Sequence, residues 1–291
     1  MQQMNNKRQL LIKPDWLKIR LPDTDEYKWM NKTIKNNNLH TICTSGKCPN
    51  AAECWGRGTA TFMILGEICT RACKFCNVKT GKPLPVDNEE PLRIARSVKI
   101  MNLKHAVITS VNRDDLEDGG TSIWVATILK IRELNPDITM EVLIPDFFGK
   151  HELIQQIIDI KPNVISHNME TVRRLTSLVR SKSEYETSLS VLQYIAKSGI
   201  IAKSGIMLGL GETETEVLET MDDLIAVGVN VFTLGQYLQP SAKNIKVKEY
   251  ITPEKFKFFE NEGLKRGFKF VESNPLVRSS YHAERHVKIS D

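Results

Sequence analysis

The 291-residue chain has no apolar run that approaches the length of a membrane span. Its first stretch, Met1 to Ile12, is polar and basic and has neither an apolar core nor a small-residue cleavage site, so it does not read as a secretory signal. The expected compartment is the cytoplasm, where thiols stay reduced. No recognition helix and no basic stripe with interleaved aromatics is present, which argues against nucleic acid as a partner. No Gly-Lys-Ser/Thr accompanies Gly209 and Gly211, so a phosphate loop there is weakly supported. A six-residue echo at 195–200 and 201–206 is too short to be a solenoid repeat. Cysteine is scarce as well: there are six, and none falls outside two triplets, Cys43, Cys48, Cys54 and Cys69, Cys73, Cys76. In a reducing compartment such clustering points to metal rather than disulfides.

What is present suits one large α/β domain or two smaller ones: 41% hydrophobic and 26% charged residues are ordinary for a globular chain. A net charge of +5 could favour an acidic protein partner, although a well-solvated surface explains it more simply.

The second triplet organises the chain. Residues 69–76 place Cys69, Cys73 and Cys76 with three and then two residues between them. Three thiolates are one short of the four that close a zinc site or a typical iron–sulfur cluster. A [4Fe–4S] cubane held this way keeps one iron open to a small molecule. The plainer alternative is a zinc knuckle completed by a distant residue. In the first triplet the spacing is four and then five residues. No helix places such positions on one face, so a wrapped loop is expected, with Gly46 and Pro49 supplying the turns. Alone it could be a zinc loop; beside the other triplet it implies a second cluster.

From residue 61 strand-like and helical patterns alternate. Apolar strand runs lie at 61–65, 105–111, 139–145, 163–170, 202–208 and 230–238. Between them, 91–101, 121–134, 151–160, 184–198 and 214–227 mostly carry the i, i+3, i+4 stripe of half-buried helices, with Leu92, Ile100 and Leu129 among the apolar positions. This predicts a parallel sheet with helices outside, an α/β partial (β/α)6 barrel of the TIM type. Ligand chemistry on such sheets gathers at the C-terminal strand ends, and the 69–76 loop follows the first strand. The expected division is an N-terminal extension over 1–56 carrying the first triplet, a barrel over 57–250 and a C-terminal extension over 251–291. Trp16 and Trp29 are expected to anchor the N-terminal segment to the body. In the tail, Pro253 opens a helix to Arg266, Gly267 stops it, and 268–275 reads as a strand.

The Cys-x3-Cys-x2-Cys run, with Phe75 before its last cysteine, resembles that of the radical S-adenosylmethionine (SAM) enzymes. With the first triplet added, residues 48–76 resemble the lipoyl synthase family throughout, and Arg278, Ser279, Ser280 and Tyr281 match that family's Arg-Ser-Ser-Tyr motif. Residues 205–212 resemble the superfamily's Gly-x-Ile-x-Gly-x-x-Glu motif, with Met207 where Ile is usual. The strand end at 109–115 departs from the common Gly-Gly-Glu pattern.

The resemblance implies two [4Fe–4S] clusters and SAM. Cys69, Cys73 and Cys76 would hold the SAM-binding cluster, with Asn112, Asn168, Glu170 and Met207 as SAM-contact candidates. Cys43, Cys48, Cys54 and Ser280 would hold the second, with Arg278 beside it. Serine oxygen is a hard ligand for a soft cluster, and a weak ligand suits a cluster that gives up sulfur. The implied reaction is reductive SAM cleavage, hydrogen abstraction from an octanoyl chain, and sulfur insertion at C6 and C8. Implied partners are octanoylated carrier domains (the E2 of a 2-oxoacid dehydrogenase, the glycine-cleavage H protein), a ferredoxin or flavodoxin as electron donor, and a cluster-repair carrier; no membrane is implied. Another sulfur-inserting radical SAM enzyme resembling biotin synthase fits residues 278–281 and the 43–54 spacing less well. A non-catalytic zinc or electron-transfer protein would be a different class.

Overall fold

The computed structural model describes residues 12–18, 25–36, 41, 43, 48 and 50–287. Gly46, Pro49, the start of the chain and the last residues lie outside them. Helix α1 spans Asp25–Asn36 and α2 Ala51–Gly56. A seven-stranded, wholly parallel sheet follows, in the order β1 (Thr59–Ile64), β4 (His105–Ser110), β5 (Thr139–Leu143), β6 (Val164–Ser166), β7 (Ile201–Leu208), β8 (Val231–Gln236) and β9 (Phe270–Ser273). Strands β2 (Ile68–Cys69) and β3 (Lys79–Thr80) pair separately within the cysteine loop. The crossovers are α3 (Glu90–Ile100), α4 (Thr121–Leu134), α5 (His151–Asp159), α6 (Thr176–Val179) with α7 (Tyr185–Lys197), α8 (Glu214–Ala226) and α9 (Pro253–Arg266); α10 (Ala283–His286) ends the described chain.

This is the expected α/β partial barrel, with the C-terminal strand β9 added to the same sheet. Local chemistry explains the boundaries. Thr213 and Glu216 form a reciprocal capping box at the start of α8. Thr252 caps α9, Pro253 opens it, and Gly267 ends it at φ +106°, a conformation that favours glycine.

Three expectations need correction. Trp16 and Trp29 are largely exposed, at 43% and 48%. The buried face of α1 is Met30, Thr33 and Ile34, spaced i, i+3, i+4, and Leu17 rather than Trp16 is buried in the preceding turn. Residues 43–54 are not wholly loop, because Cys54 rides on α2, whose Ala51-Ala52-Glu53 start favours helix. Ile100 and Leu129 are exposed, and Ile94 takes a core place on α3.

Strands β1 and β9 are the two edges of the sheet. Thr41 bridges antiparallel to Phe62 on β1. Segments from both ends of the chain meet along this side. Asn50 Nδ2 donates to the Leu276 carbonyl at 2.7 Å, Tyr281 donates to Glu53 at 3.1 Å, and Thr59 donates to Glu284 at 3.2 Å. These contacts tie α2 and β1 to the chain leaving β9.

Candidate active site

Cys69, Cys73 and Cys76 leave the C-terminal side of β1. Cys69 is buried; Cys73 and Cys76 are half-buried. Backbone amides aim at the sulfurs: those of Arg71 and Asn112 lie 3.4 and 3.3 Å from Cys69 Sγ, and that of Val78 lies 3.5 Å from Cys76 Sγ. Such N–H···S contacts stabilise a ligating thiolate. Burial pushes the Cys76 thiol up to about 11, Val78 opposes this, and Cys73 and Cys69 add to it by repulsion. Three thiolates crowded together need a cationic core, so the donor set fits an iron–sulfur cluster.

Arg71, between Cys69 and Cys73, locks this loop. Its guanidinium donates to Asp114 at 2.9 Å, to both oxygens of Asp146 at 2.7 and 2.8 Å, and to Ser183 at 2.9 Å. These bonds tie the loop to the ends of β4 and β5 and to the chain before α7. Hydrogen bonding and charge from both carboxylates outweigh burial and push Arg71 above its ordinary range. The sequence reading missed this role, because partners so distant along the chain leave no local signal.

The strand ends supply the polar groups. Asn112 meets Cys69 through its backbone; its carbonyl also accepts from Thr70 N and Oγ1. Asn168 Oδ1 is buried without a hydrogen-bond partner among the described residues, and it faces Gly205. A Cβ at Gly205 would stand 2.2 Å from Thr233 Oγ1, so only glycine fits there. Glu170 takes φ +66° and bridges to Ile206, exchanging backbone bonds with Gly205 and Met207. Burial raises its pKa, and Arg180 pulls the other way. Charge acts between Glu170 and Cys76 and between Arg180 and Cys73, so both side chains lie within electrostatic range of the triplet. Met207 is half-buried. An unpartnered buried acceptor, a carboxylate on a strained backbone and a thioether around a glycine cradle fit a polar sulfonium nucleoside such as SAM. The amides of Gly209 and Leu210 are taken up by Glu212, so this loop is not free to hold phosphate.

The first triplet forms a second cage. Cys43, Cys48 and Cys54 line one cavity with Asn50, Thr59, Thr61, Arg278, Ser280 and Tyr281. Residues more than 220 positions apart thus share one wall. Burial pushes Cys43 up to about 11, with Cys48 adding repulsion; burial, Cys48 and Cys43 push Cys54 further still. Arg278 is the cation on this wall. Its Nη1 donates to the Val277 carbonyl at 2.6 Å, burial lowers its pKa, and Cys48 draws it back up. Three soft thiolates, a hydroxyl and a neutralising guanidinium around a void suit a cluster. No three described His, Cys, Asp or Glu side chains converge on a point that could hold a single ion. In a cubane each thiolate takes a different iron, so the ligands ring a void instead of meeting at a point. All six cysteines are free thiols.

A fully buried polar layer crosses the barrel interior nearer the N-terminal strand ends. Lys203 Nζ donates to Glu141 at 2.8 Å and lies 3.2 Å from Nδ1 of His286, which enters from α10. Ser166 donates to the other Glu141 oxygen at 3.0 Å. This layer also leaves no signal in the sequence: Lys203 and Ser204 sit inside a mostly apolar strand run.

A model of the radical SAM superfamily matches residues 63–224. A lipoyl synthase of Parabacteroides distasonis is 62% identical over 279 residues, 96% of this chain and 99% of that one. One from Treponema denticola is 62% identical over 275 residues, 94% and 95% of the two chains. Among solved structures, Streptococcus suis SuiB bound to S-adenosylmethionine superposes with TM-score 0.58 at 13% identity, covering 78% of this chain and 54% of that one. HydG, a maturase of the [FeFe]-hydrogenase, gives TM-score 0.56 at 13% identity over 92% and 69%. At that identity these two likenesses concern the fold alone.

Proposed function

The chain belongs to the lipoyl synthase family of the radical SAM superfamily, and from that membership we propose how its residues divide the work. Lipoyl synthases insert two sulfur atoms, at C6 and C8, into an octanoyl chain on a carrier protein, and they use SAM and two [4Fe–4S] clusters. Cys69, Cys73 and Cys76 would hold the SAM-binding cluster, and Cys43, Cys48, Cys54 and Ser280 would hold the second, which would supply the sulfur. When bound, these groups supply the one-electron reduction, the hydrogen-abstracting radical and the sulfur, chemistry that no acid–base pair could perform on an unactivated C–H bond.

The remaining work falls to the chain's own residues. Asn168 Oδ1 accepts from a ribose hydroxyl or the amino group of SAM, Glu170 takes a second polar group, and Met207 gives apolar contact to adenine. Arg71 holds the cluster loop rigid. Arg278 offsets the charge of the Cys48 thiolate, and Ser280 supplies a hard, weak oxygen ligand that leaves one corner of the sulfur source easy to dismantle. The enclosing strands exclude water and hold the octanoyl carbon in one place. The substrate is an octanoylated carrier domain; the dehydrogenase E2 and the H protein are the forms we propose, with a ferredoxin or flavodoxin as reductant and a separate carrier for cluster repair. Residues 1–56 act as an N-terminal extension of a 57–250 barrel, and 251–291 as a C-terminal extension whose β9 joins the same sheet. No helix among the described residues is long and apolar enough to cross a membrane.

The observation that most supports this division is the shared cavity of Cys43, Cys48, Cys54, Arg278 and Ser280. Iron analysis after anaerobic reconstitution tests it. The intact chain should bind about eight irons, and alanine replacement of either triplet should leave about four. Stoichiometric zinc, or loss of all iron on removing one triplet, would contradict it.

A further inference from the structure

The 72–76 loop is stitched to two other segments where Cys73 comes nearest to solvent. Lys74 N donates to the Val179 carbonyl at 2.9 Å, and Ala72 N donates to Ser181 Oγ at 3.0 Å. On the other side, Ile245 N donates to the Lys74 carbonyl at 3.0 Å, while Asn244 Nδ2 reaches the carbonyls of Lys74 and Cys76 at 3.2 and 2.9 Å. Each segment carries exposed lysine: Lys74 on the loop, Lys182 beside Ser181, and Lys243 and Lys246 flanking Asn244. Lys74, Lys243 and Lys246 have no acidic partner among the described residues. Lys182 has only a distant one, Asp114 at 3.8 Å. The carboxylates of Asp114 and Asp146 are turned mainly onto Arg71, so of the four lysines only Lys182 has an acidic neighbour among the described residues. The result is a cationic rim around the half-buried part of the triplet loop where the three segments meet.

We propose that Lys74, Lys182, Lys243 and Lys246 form the docking surface for an acidic protein that delivers single electrons. The inference rests on the reading of Cys69, Cys73 and Cys76 as the SAM-binding cluster. Each SAM cleavage consumes one electron: the donor is oxidised by one electron, and the sulfonium is reduced as its carbon–sulfur bond breaks. That electron must enter from outside, and transfer falls off steeply with distance, so the donor's cofactor must come close to the loop. A basic rim centred on the loop brings an acidic donor to that spot and orients it, and such rims act mainly on encounter rate and salt dependence. The octanoylated carrier is a different partner, and the rim is assigned to the donor because it surrounds the outer side of the loop between Cys73 and Cys76.

The test uses reconstituted enzyme with Lys243→Glu and Lys246→Glu together, which reverses the charge while leaving Asn244 in place. The probe is a purified, acidic bacterial flavodoxin in its reduced state. Its affinity, read by titration calorimetry at low salt, should fall about tenfold or more, and the salt dependence of binding should flatten. Turnover driven by subsaturating flavodoxin should fall in parallel. Turnover driven by dithionite, and the KM for the octanoylated domain, should stay as in the parent, which shows that the variant is folded and its clusters are loaded. Unchanged flavodoxin affinity would overturn the proposal. So would a raised KM for the octanoylated domain with donor affinity intact, since the rim would then receive the carrier. A parent enzyme that failed to hold iron at Cys69, Cys73 and Cys76 would instead sink the reading on which the inference rests.

Discussion

Arg71 sits inside the Cys69–Cys76 loop, yet every donor its side chain uses points at a distant carboxylate or hydroxyl. Replacing it by alanine leaves Asp146 buried without its cation, a loss of about 3–5 kcal/mol. Arg71→Lys keeps the charge but not the fork, so it should rescue only partly. Urea denaturation checks both, and the iron content of the Cys69 cage should fall alongside stability. This role is illegible in the sequence because spacing reveals ligands that crowd together in the chain, as the cysteines do, and is silent on partners 43, 75 and 112 positions away. Buried histidines give a pH prediction at the same scale. Burial is the main cause that holds His105, His167 and His286 down near 4, against an ordinary value of 6.5. Between about 6.5 and about 4 the unfolded chain therefore binds more protons than the folded one. Their contribution is complete above that window and is lost as pH falls through it. Burial pushes Glu141 up, but Lys203 and His286 outweigh it and hold it at about 2, so its contribution disappears only at lower pH. Denaturation midpoints should drop as pH is lowered from about 7 to about 4.5. A flat profile would contradict the burial of these rings.

At the scale of elements, the alternation of short apolar runs with striped segments was readable, and boundaries such as 121–134 and Pro253–Arg266 came out as expected. Periodicity works there because each helix buries one face and strands such as β1 and β8 are buried on both. It failed for α1, where Trp29 looked like the anchor but lies one step off the Met30–Thr33–Ile34 stripe. It also failed for α2, too short to show a period. Strand β7 offers a prediction. A Cβ on Gly205 would lie 2.2 Å from Thr233 Oγ1 on β8 and 3.2 Å from that residue's carbonyl. Gly205→Ala should destabilise the protein by about 1–3 kcal/mol through overpacking and also weaken SAM binding. Calorimetry and a SAM titration check the two effects. An unchanged melting point would mean that β7 and β8 are not packed this closely.

At the scale of the whole molecule, the parallel sheet has two edges, and segments from both ends of the chain meet along that side. The second cage lies among them, lined by β1, α2 and the chain after β9. Thr59 and Thr61 on β1 line this cage, while Cys69 follows the other end of the same strand. One strand thus links the two sites. The candidate ligands were readable one by one from their motifs, but their meeting was not, because closure of the two chain ends depends on topology rather than on any local pattern. The arrangement separates two tasks. Ser280→Ala should leave SAM cleavage near the parent level while cutting lipoyl formation about 10–100-fold through loss of a ligand to the sulfur source. Equal loss of both activities would mean that Ser280 serves the other cage.

The central claim is that one thiol cage generates the radical and the other gives up sulfur. Anaerobic single turnover of an octanoyl-lysine peptide with SAM and reductant, read by mass spectrometry, tests it most directly when the parent chain is run beside a variant with Cys43, Cys48 and Cys54 all changed to alanine. The parent should yield product with two sulfurs gained, as a dithiol in which two C–S–H groups replace two C–H groups and no hydrogen is lost overall; the variant should still cleave SAM and add no sulfur. Sulfur insertion by the variant, or a parent product without two added sulfurs, would contradict the account.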